Sequence, residues 1–227
     1  MPLDRARPED EAGIRALFRA TLLLGRPLPF AERAPALLAA YERLCLDPYL
    51  APSSATVVGV LRDTRSGPVR GYAFVCLDAT RLRRPRARGL ARFAARATPW
   101  LVARGEASVF ARGRVRDGWA LRRPARPVRA WPHAHLNAAP GATCLPGRLL
   151  ADYVDDVCRA AGHPCWYGEI NTRVGRRAAA ITDRWGGEIV DRTPNRTLSR
   201  LLGVPVERLT VLRAVPPGAA TRIPGAA

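Results

Sequence analysis

The stretch HAHLNAAPGATCLPGRLL, from His133 to Leu150, constrains the possible fold more than any other part of the sequence. Its first residues alternate between polar and apolar, a Pro- and Gly-rich loop follows, and the pattern then changes to that of a helix. The alternation predicts one strand face carrying Trp131, His133, His135 and Asn137, and the opposite face carrying Ala134, Leu136 and Ala138. The first N–H groups of a helix have no partner within it, so this order of elements often forms an anion site.

The first half of the sequence predicts two helices and a β-hairpin. Apolar residues at helical spacing indicate helices over about Pro8–Leu24 and Glu32–Leu46, with Pro48 and Pro52 expected to end the second. The runs ATVVGVLRD and VRGYAFVCLDA, joined by a turn, indicate two buried strands over about 55–63 and 69–78.

The second half continues with helices and strands that pack into the same sheet. GRLLADYVDDVCRAAG has a core-facing stripe and ends at Gly162, as expected for a helix. CWYGEIN indicates a strand, GRRAAAITDRWG a short helix, and GEIVDR and RTLSRLL two final strands. We therefore expect one domain over residues 1–213 and a disordered tail over 214–227.

Positive charge is concentrated between strands. All 37 basic side chains are Arg, which is typical of a GC-rich genome such as an actinobacterial one, and the net charge is +18. From Arg81 to Arg129 there are 15 Arg against Glu106 and Asp117, which is +13 of that total. We interpret residues 79–129 as an insertion whose first half is helical and whose second half is a loop. It is either a solvated surface or a patch for phosphates of RNA or a cofactor.

Composition excludes several other classes. With 48% apolar residues the chain can form a core, and no apolar run is long enough to cross a membrane. The charged start MPLDRARPEDEAG is unlike a signal peptide, so we expect a cytoplasmic protein. The five cysteines form no CxxC pair, and the His133-x-His135 pair has no evident third ligand, so no metal site is expected.

The region from Trp131 to Val190 resembles the GNAT superfamily of N-acetyltransferases. WPHAHLNAAP is similar to the Tyr/Trp-Pro-x-x-His-Leu strand of that family, and TDRWGGEIV corresponds to its ERLGF helix end. The resemblance implies an α+β fold: a mixed sheet with two splayed parallel strands, helices on both faces and, here, an Arg-rich helical insertion. It also implies acyl transfer from acetyl-CoA or another acyl-CoA to the amino group of a small molecule or peptide, without a metal.

The resemblance assigns roles to particular residues. The proton-accepting base would be His135, His133 or Glu169, and Tyr167 or Tyr153 could supply the acid. The cofactor would contact the end of the first splayed strand, the start of the next helix and the end of the second splayed strand: Asn137, Ala138, Ala139, Gly147, Arg148 and Asn171.

The sequence departs from the family pattern at two places, and these leave alternatives open. Of the phosphate-loop positions Ala142, Leu145 and Gly147, only Gly147 matches, and Pro146 lacks an N–H. Thr182 stands where the family commonly has its acidic Tyr, and a Thr hydroxyl is too weak an acid to replace it. One alternative is therefore a transferase that takes its acyl group from aminoacyl-tRNA bound through Arg81–Arg129. The other is a catalytically degenerate binding module. The sequence does not define an oligomeric state.

Overall fold

A computed structural model of the protein describes residues 1–51, 56–120, 128, 131–141, 145–175, 180 and 186–217. Its elements in chain order are β1 (Leu3–Arg5), α1 (Glu11–Thr21), α2 (Pro35–Leu50), β2 (Thr56–Arg62), β3 (Val69–Cys76), α3 (Arg83–Val102), α4 (Glu106–Ala120), β4 (His133–Ala138), α5 (Leu145–Ala160), β5 (Cys165–Arg173), β6 (Gly187–Pro194), α6 (Arg196–Leu202) and β7 (Val206–Ala214). Short 3-10 turns precede α1 and α3. No helix among these ranges is long and apolar enough to span a bilayer.

The strands form one mixed sheet, as predicted. Their order is β1-β2-β3-β4-β5-β7-β6. β4 and β5 run parallel, and the other five neighbouring pairs are antiparallel. The predicted hairpin is confirmed as β2 and β3, which pair along their length from Thr56↔Cys76 to Arg62↔Val69.

Helices cover both faces of the sheet. On one face, α5 buries Leu150, Val154 and Val157 against Ala73 and Val75 of β3, so its amphipathic stripe packs as predicted. On the opposite face, α1 and α2 pack their apolar residues against β2 and β3; the buried set is Ile14, Leu17, Phe18, Leu46, Tyr49, Val60, Tyr72 and Phe74. The faces alternate along each strand because successive side chains point to opposite sides.

The Arg-rich insertion contains two helices with a core of their own. Phe93 and Ala97 of α3 and Phe110 of α4 are buried against α2, and the Tyr41 ring lies 4.9 Å from that of Phe110. The prediction of a loop is therefore wrong over Glu106–Ala120, although residues 121–127 lie outside the described part. Apolar residues recur once per turn between the arginines, and the contacts of this stripe with α2 stabilise the helices.

Four other elements differ from the predictions. α2 continues through Pro48 to Leu50, because a proline in the last turn removes only one hydrogen bond. RTLSRLL is helix α6 and not a strand: the Asn195 side chain caps it by accepting from Leu198 N–H at 3.0 Å, and Gly203 ends it with a left-handed φ of 66°. The last strand, β7, was missed, and so was the short β1.

The predicted disordered tail begins too early. Ala214 lies in β7, and the next residue, Val215, donates its N–H to Pro164 O at 2.8 Å. The strand continues because its main chain still has a partner beside β5. Residues 218–227 lie outside the described part.

The packing of α4 on α6 can be tested at Gly113. A Cβ at this position would lie within 3 Å of three atoms of buried Thr197, whose hydroxyl donates to Asp117 at 2.6 Å. We expect Gly113→Ala to destabilise the protein, because overpacking costs about 1–3 kcal/mol while the gain in helix propensity is about 1 kcal/mol. Urea unfolding measures the change. Gly89→Ala on α3 is the control, since its Cβ would meet a flexible Leu44 methyl at 3.2 Å and the Leu44 main chain only at 3.7 Å or more. Equal stability changes in the two variants would contradict the packing described.

Candidate active site

The two parallel strands separate after a short paired segment. β4 and β5 pair at only two positions, His133↔Tyr167 and Ala134↔Gly168, and Tyr167 N–H donates to Pro132 O at 2.9 Å. Beyond Ala134, β4 remains paired with β3 and β5 remains paired with β7 up to Arg173. The predicted splay of these strands is confirmed.

A groove lies in the opening between the strands. It encloses about 410 Å³ of empty space, including part that is open to solvent, and its walls are mainly apolar. The lining consists of Ala134 and Leu136 of β4, Trp166, Gly168, Glu169 and Ile170 of β5, and Gly187, Val211 and Arg213 of the two following strands. Ala134, Leu136 and Trp166 pack with α5, whereas Ile170 packs with Val211. The groove can therefore hold a narrow, largely apolar chain beside exposed main chain.

Main-chain groups of β4 alternate between β3 and the opening. Ala139 N–H donates to Arg70 O at 2.8 Å, so the alternate residues of β4 pair with β3, and the main chain of Leu136 and Ala138 faces the opening. Of the three predicted cofactor contacts at the end of this strand, the structure places only Ala138 at the opening. Asn137 and Ala139 are directed elsewhere.

The start of α5 lies next to this opening. Gly147 and Arg148 are in its first turn, and Arg148 is exposed. Residues 142–144, including the predicted loop position Ala142, lie outside the described residues. Free N–H groups and the helix dipole make such a helix start favourable for a phosphate, and Arg148 can add a charge-assisted contact.

The opposite face of the two strands carries two histidines, each bonded to a tyrosine. His133 Nδ1 lies 3.0 Å from Tyr49 OH, which also accepts from Arg86 Nη2. His135 Nε2 lies 3.3 Å from Tyr72 OH, which accepts from the Asn137 side chain at 3.2 Å. Each tyrosine oxygen receives a donor, so its own proton can be donated to the histidine. The predicted alternation of β4 is thus confirmed, and the basic nitrogen of each histidine is already engaged.

Burial keeps both histidines neutral. It is the first cause that lowers the pKa of His133 well below its usual range, and the positive charges of Arg86, His135 and Arg208 add to it. Burial, and then the charge of Arg86, lower the pKa of His135 to about 4. Burial also raises the pKa of Tyr49 and of Tyr72 above the ordinary value for a phenol. At neutral pH these four side chains form an uncharged hydrogen-bonded wall.

The second splayed strand contributes Tyr167, Glu169 and Asn171 to the same face. Tyr167 is 1% exposed, its ring lies 4.8 Å from that of His133, and burial raises its pKa to about 12. Glu169 is half-buried and lies 3.1 Å from Arg208 Nη1. Asn171 accepts from Asn195 Nδ2 at 2.8 Å, which ties the end of β5 to the start of α6. His133, His135, Tyr167 and Glu169 are therefore grouped, whereas Asn171 lies towards α6.

Sequence reasoning missed four side chains of this site: Tyr49, Tyr72, Arg86 and Arg208. Arg86 extends from α3, and its guanidinium carbon lies 5.4 Å from the centre of the Tyr49 ring. Tyr72 lies within the apolar run of β3, so the sequence could have indicated that its ring is on the sheet next to β4. Arg86 carries no such signal, because it is one of many arginines in its segment.

The sequence also singled out Thr182 and Tyr153. Thr182 lies outside the described residues, and Tyr153 packs in the core beneath α5.

The described part of the chain contains no group of three or more His, Cys, Asp or Glu that could hold a metal ion. Cys45, Cys76, Cys158 and Cys165 form no disulfide in the described part of the chain, and Cys144 is among the residues not described.

Comparison with known proteins shows the fold. No protein-family model matches the chain, and no curated protein matches it in sequence. The crystal structure of SsHAT is similar, with 19% identity and a TM-score of 0.61 over 95% of this chain and 98% of that one. A structure described as a phosphinothricin N-acetyltransferase gives 10% identity and a TM-score of 0.52 over 95% and 99%. Smu.2055 from Streptococcus mutans UA159 gives 10% and 0.52 over 95% and 100%.

These findings confirm the fold that the resemblance implied: the chain has a GNAT-like mixed α/β fold. The mixed sheet, the splayed pair and the helices on both faces occupy the positions that the resemblance implied.

The neutral histidines predict a pH dependence of stability. A histidine with a pKa that is lower in the folded state than in the unfolded chain stabilises the fold above pH 6.5, and this stability is lost as pH falls towards 4. We expect the free energy of unfolding to decrease across this range, and His135→Gln to reduce the decrease. Urea unfolding at pH 7.5, 5.5 and 4.5 gives the slopes. His163→Gln is the control, and identical slopes for wild type and His135→Gln would contradict the assignment.

Proposed function

We propose that the protein is an acyltransferase that moves an acetyl or other acyl group from an acyl-CoA thioester to the amino group of a small molecule or peptide. The observation that carries this proposal is the separation of β4 from β5 after Ala134, with an apolar groove in the opening. Such an opening offers main-chain donors and acceptors along a slot that fits the pantetheine arm of coenzyme A.

The donor would lie across the opening on the α5 side. Its pantetheine arm would contact the main chain of Leu136 and Ala138, and its pyrophosphate would lie at the start of α5 beside Gly147 and Arg148. The apolar lining of Ile170 and Trp166 supports this placement, because pantetheine carries only a few polar groups. The acceptor would approach from the other face, where the histidines and tyrosines lie.

Glu169 suits the role of base best among the three candidates. In the reaction the amine nitrogen attacks the thioester carbonyl, the C–N bond forms, the C–S bond breaks, and the proton of the amine must be removed. His133 Nδ1 and His135 Nε2 contact tyrosine hydroxyls and both rings are kept neutral by burial, whereas Glu169 is a half-buried carboxylate paired with Arg208 beyond the point of separation. Tyr167 keeps its proton at neutral pH, so it is available as a donor to the leaving thiolate.

The role of Glu169 can be tested with Glu169→Gln, which preserves its shape and removes its charge. Since general base catalysis contributes typically ~10²–10⁴-fold, we expect kcat to fall by at least about 100-fold while the Kd for acetyl-CoA stays within about 2-fold. Assays of thiol release measure kcat, and calorimetry measures the Kd for acetyl-CoA. Glu188→Gln, exposed on β6, is the matched control. If Glu169→Gln retained full kcat, Glu169 would not be the base.

The donor itself can be tested by calorimetric titration with acetyl-CoA. We expect binding that persists at high salt, and Gly168→Leu should weaken it at least about 10-fold, because a side chain there would enter the groove beside Trp166. Leu136→Trp should fill the same groove from outside the segment where β4 pairs with β5. It replaces Gly168→Leu in the test if that variant does not fold. Ala161→Val, exposed after α5, is the control. Acetyl-CoA binding that is unaffected by both filled-groove variants would refute the placement of the donor.

A second candidate donor is aminoacyl-tRNA, and one observation favours it. Arg84, Arg88, Arg92 and Arg96 are all exposed and recur every four residues along α3. They form a stripe about 18 Å long, which is suited to several phosphates of an RNA backbone. Bulk tRNA in the same titration would then bind tightly, with a steep fall in affinity as salt rises. A chain that bound neither ligand would fit the third possibility, a binding module without catalysis.

A further inference from the structure

Arg86 introduces a positive charge into the acceptor side of the site. It is half-buried, and its described contacts are with Tyr49: a hydrogen bond to the hydroxyl and a stacked position over the ring. Tyr49 also contacts His133, and the His133 ring contacts Tyr167. The guanidinium therefore lies at the edge of the wall formed by the tyrosines and histidines.

Arg86 forms no ion pair with any described residue, although the negative charge of Glu169 acts on it from a greater distance. Among the described residues, no carboxylate lies within ion-pair distance of Arg86, although 16 other such contacts are formed elsewhere in the chain. Buried or partly buried charges in proteins are normally paired, because removal from water is otherwise unfavourable. A half-buried arginine whose described hydrogen bond is to a neutral tyrosine is suited to bind an anion.

The neighbouring strand pair adds further unused polar groups. Arg208 Nε and Thr210 Oγ1 are buried and have no hydrogen-bond partner in the part of the chain described. Thr210 lies directly opposite Glu169, and Arg208 opposite Asn171, so both belong to the acceptor face. Glu169 forms an ion pair with Arg208, so Arg86 is the guanidinium that is available here to bind an anionic group such as a carboxylate.

We propose that the acceptor is an amino acid or a similar amine, and that its carboxylate binds Arg86 while its amino group lies towards Glu169. This inference rests on the proposed acyl transfer and specifies the substrate class of the same site. The two charges of a zwitterion would then meet opposite charges: the guanidinium of Arg86 and the carboxylate of Glu169. The phosphates of the donor lie at the start of α5, on the other face of the sheet, and do not compete for Arg86.

Matched pairs of amines test the proposal. Each of tyrosine, histidine, arginine and phenylalanine is compared with its decarboxylated counterpart, first by thermal shift without any donor and then by release of coenzyme A thiol from acetyl-CoA. We expect at least one amino acid to raise the Tm and to have a KM at least about 10-fold below that of its counterpart, because loss of one partner of a buried charge pair typically weakens binding by that much or more.

Variants of Arg86 test whether this residue binds the carboxylate or only stabilises the fold. Arg86→Leu should reduce the preference for the amino acid over its decarboxylated counterpart at least about 10-fold. Arg86→Lys should keep part of this preference, because lysine retains the positive charge but lacks the planar guanidinium. Arg43→Leu, exposed on α2, should keep the wild-type preference. The preference of the wild-type protein is informative even if Arg86→Leu does not fold.

The outcomes distinguish this inference from the proposed function. Amino acid binding that depends on Arg86 without any thiol release would support the subsite and contradict the acyl transfer. Thiol release with the decarboxylated amines equal to that with the amino acids would support the transfer and overturn the subsite. Failure of every tested amino acid both to shift the Tm and to accept the acyl group would also overturn the subsite.

Discussion

The short pairing between β4 and β5 is the constraint on which the rest of the site depends. Each strand is held by its outer neighbour: β4 by β3 over six residue pairs and β5 by β7 over nine. The sheet therefore stays intact while its middle opens. Unpaired main-chain groups are unfavourable when they are buried, so they must face a groove that a ligand or solvent can reach. Gly168, at the point of separation, leaves room for this because a Cβ there would lie 3.2 Å from Ala134 O.

The fold could be predicted where local patterns and tertiary packing agree. The alternation of β4, the hairpin of β2 and β3 and the stripe of α5 are each visible within one segment, and all three are present. The prediction was wrong where neighbours decide the conformation. RTLSRLL has residues that suit a strand, but the Asn195 cap and Gly203 make it a helix. The helices of the insertion are stabilised by Tyr41 and Leu37 of α2, which no local pattern could show.

The candidate site was predictable only in part. Strand alternation correctly placed His133, His135 and Asn137 on one face, and the parallel pairing brought Tyr167 beside them. The partners of these residues come from distant segments: Tyr49 follows a proline that was expected to end its helix, and Thr21, which accepts from Asn137 at 2.7 Å, comes from α1. The functional assignment of each site residue remains a prediction, because it depends on a ligand and not on the fold.

Helix α3 joins two surfaces that the sequence presents as one charged segment. Arg84 and Arg88 point to solvent, while Arg86, about half a turn from each, contacts the Tyr49 ring. Phe93 and Ala97 anchor the same helix in the hydrophobic core of the insertion. α3 therefore places a row of exposed arginines and one inward guanidinium on the same fixed helix, so an anion bound outside and the aromatic wall inside lie on opposite sides of a single element.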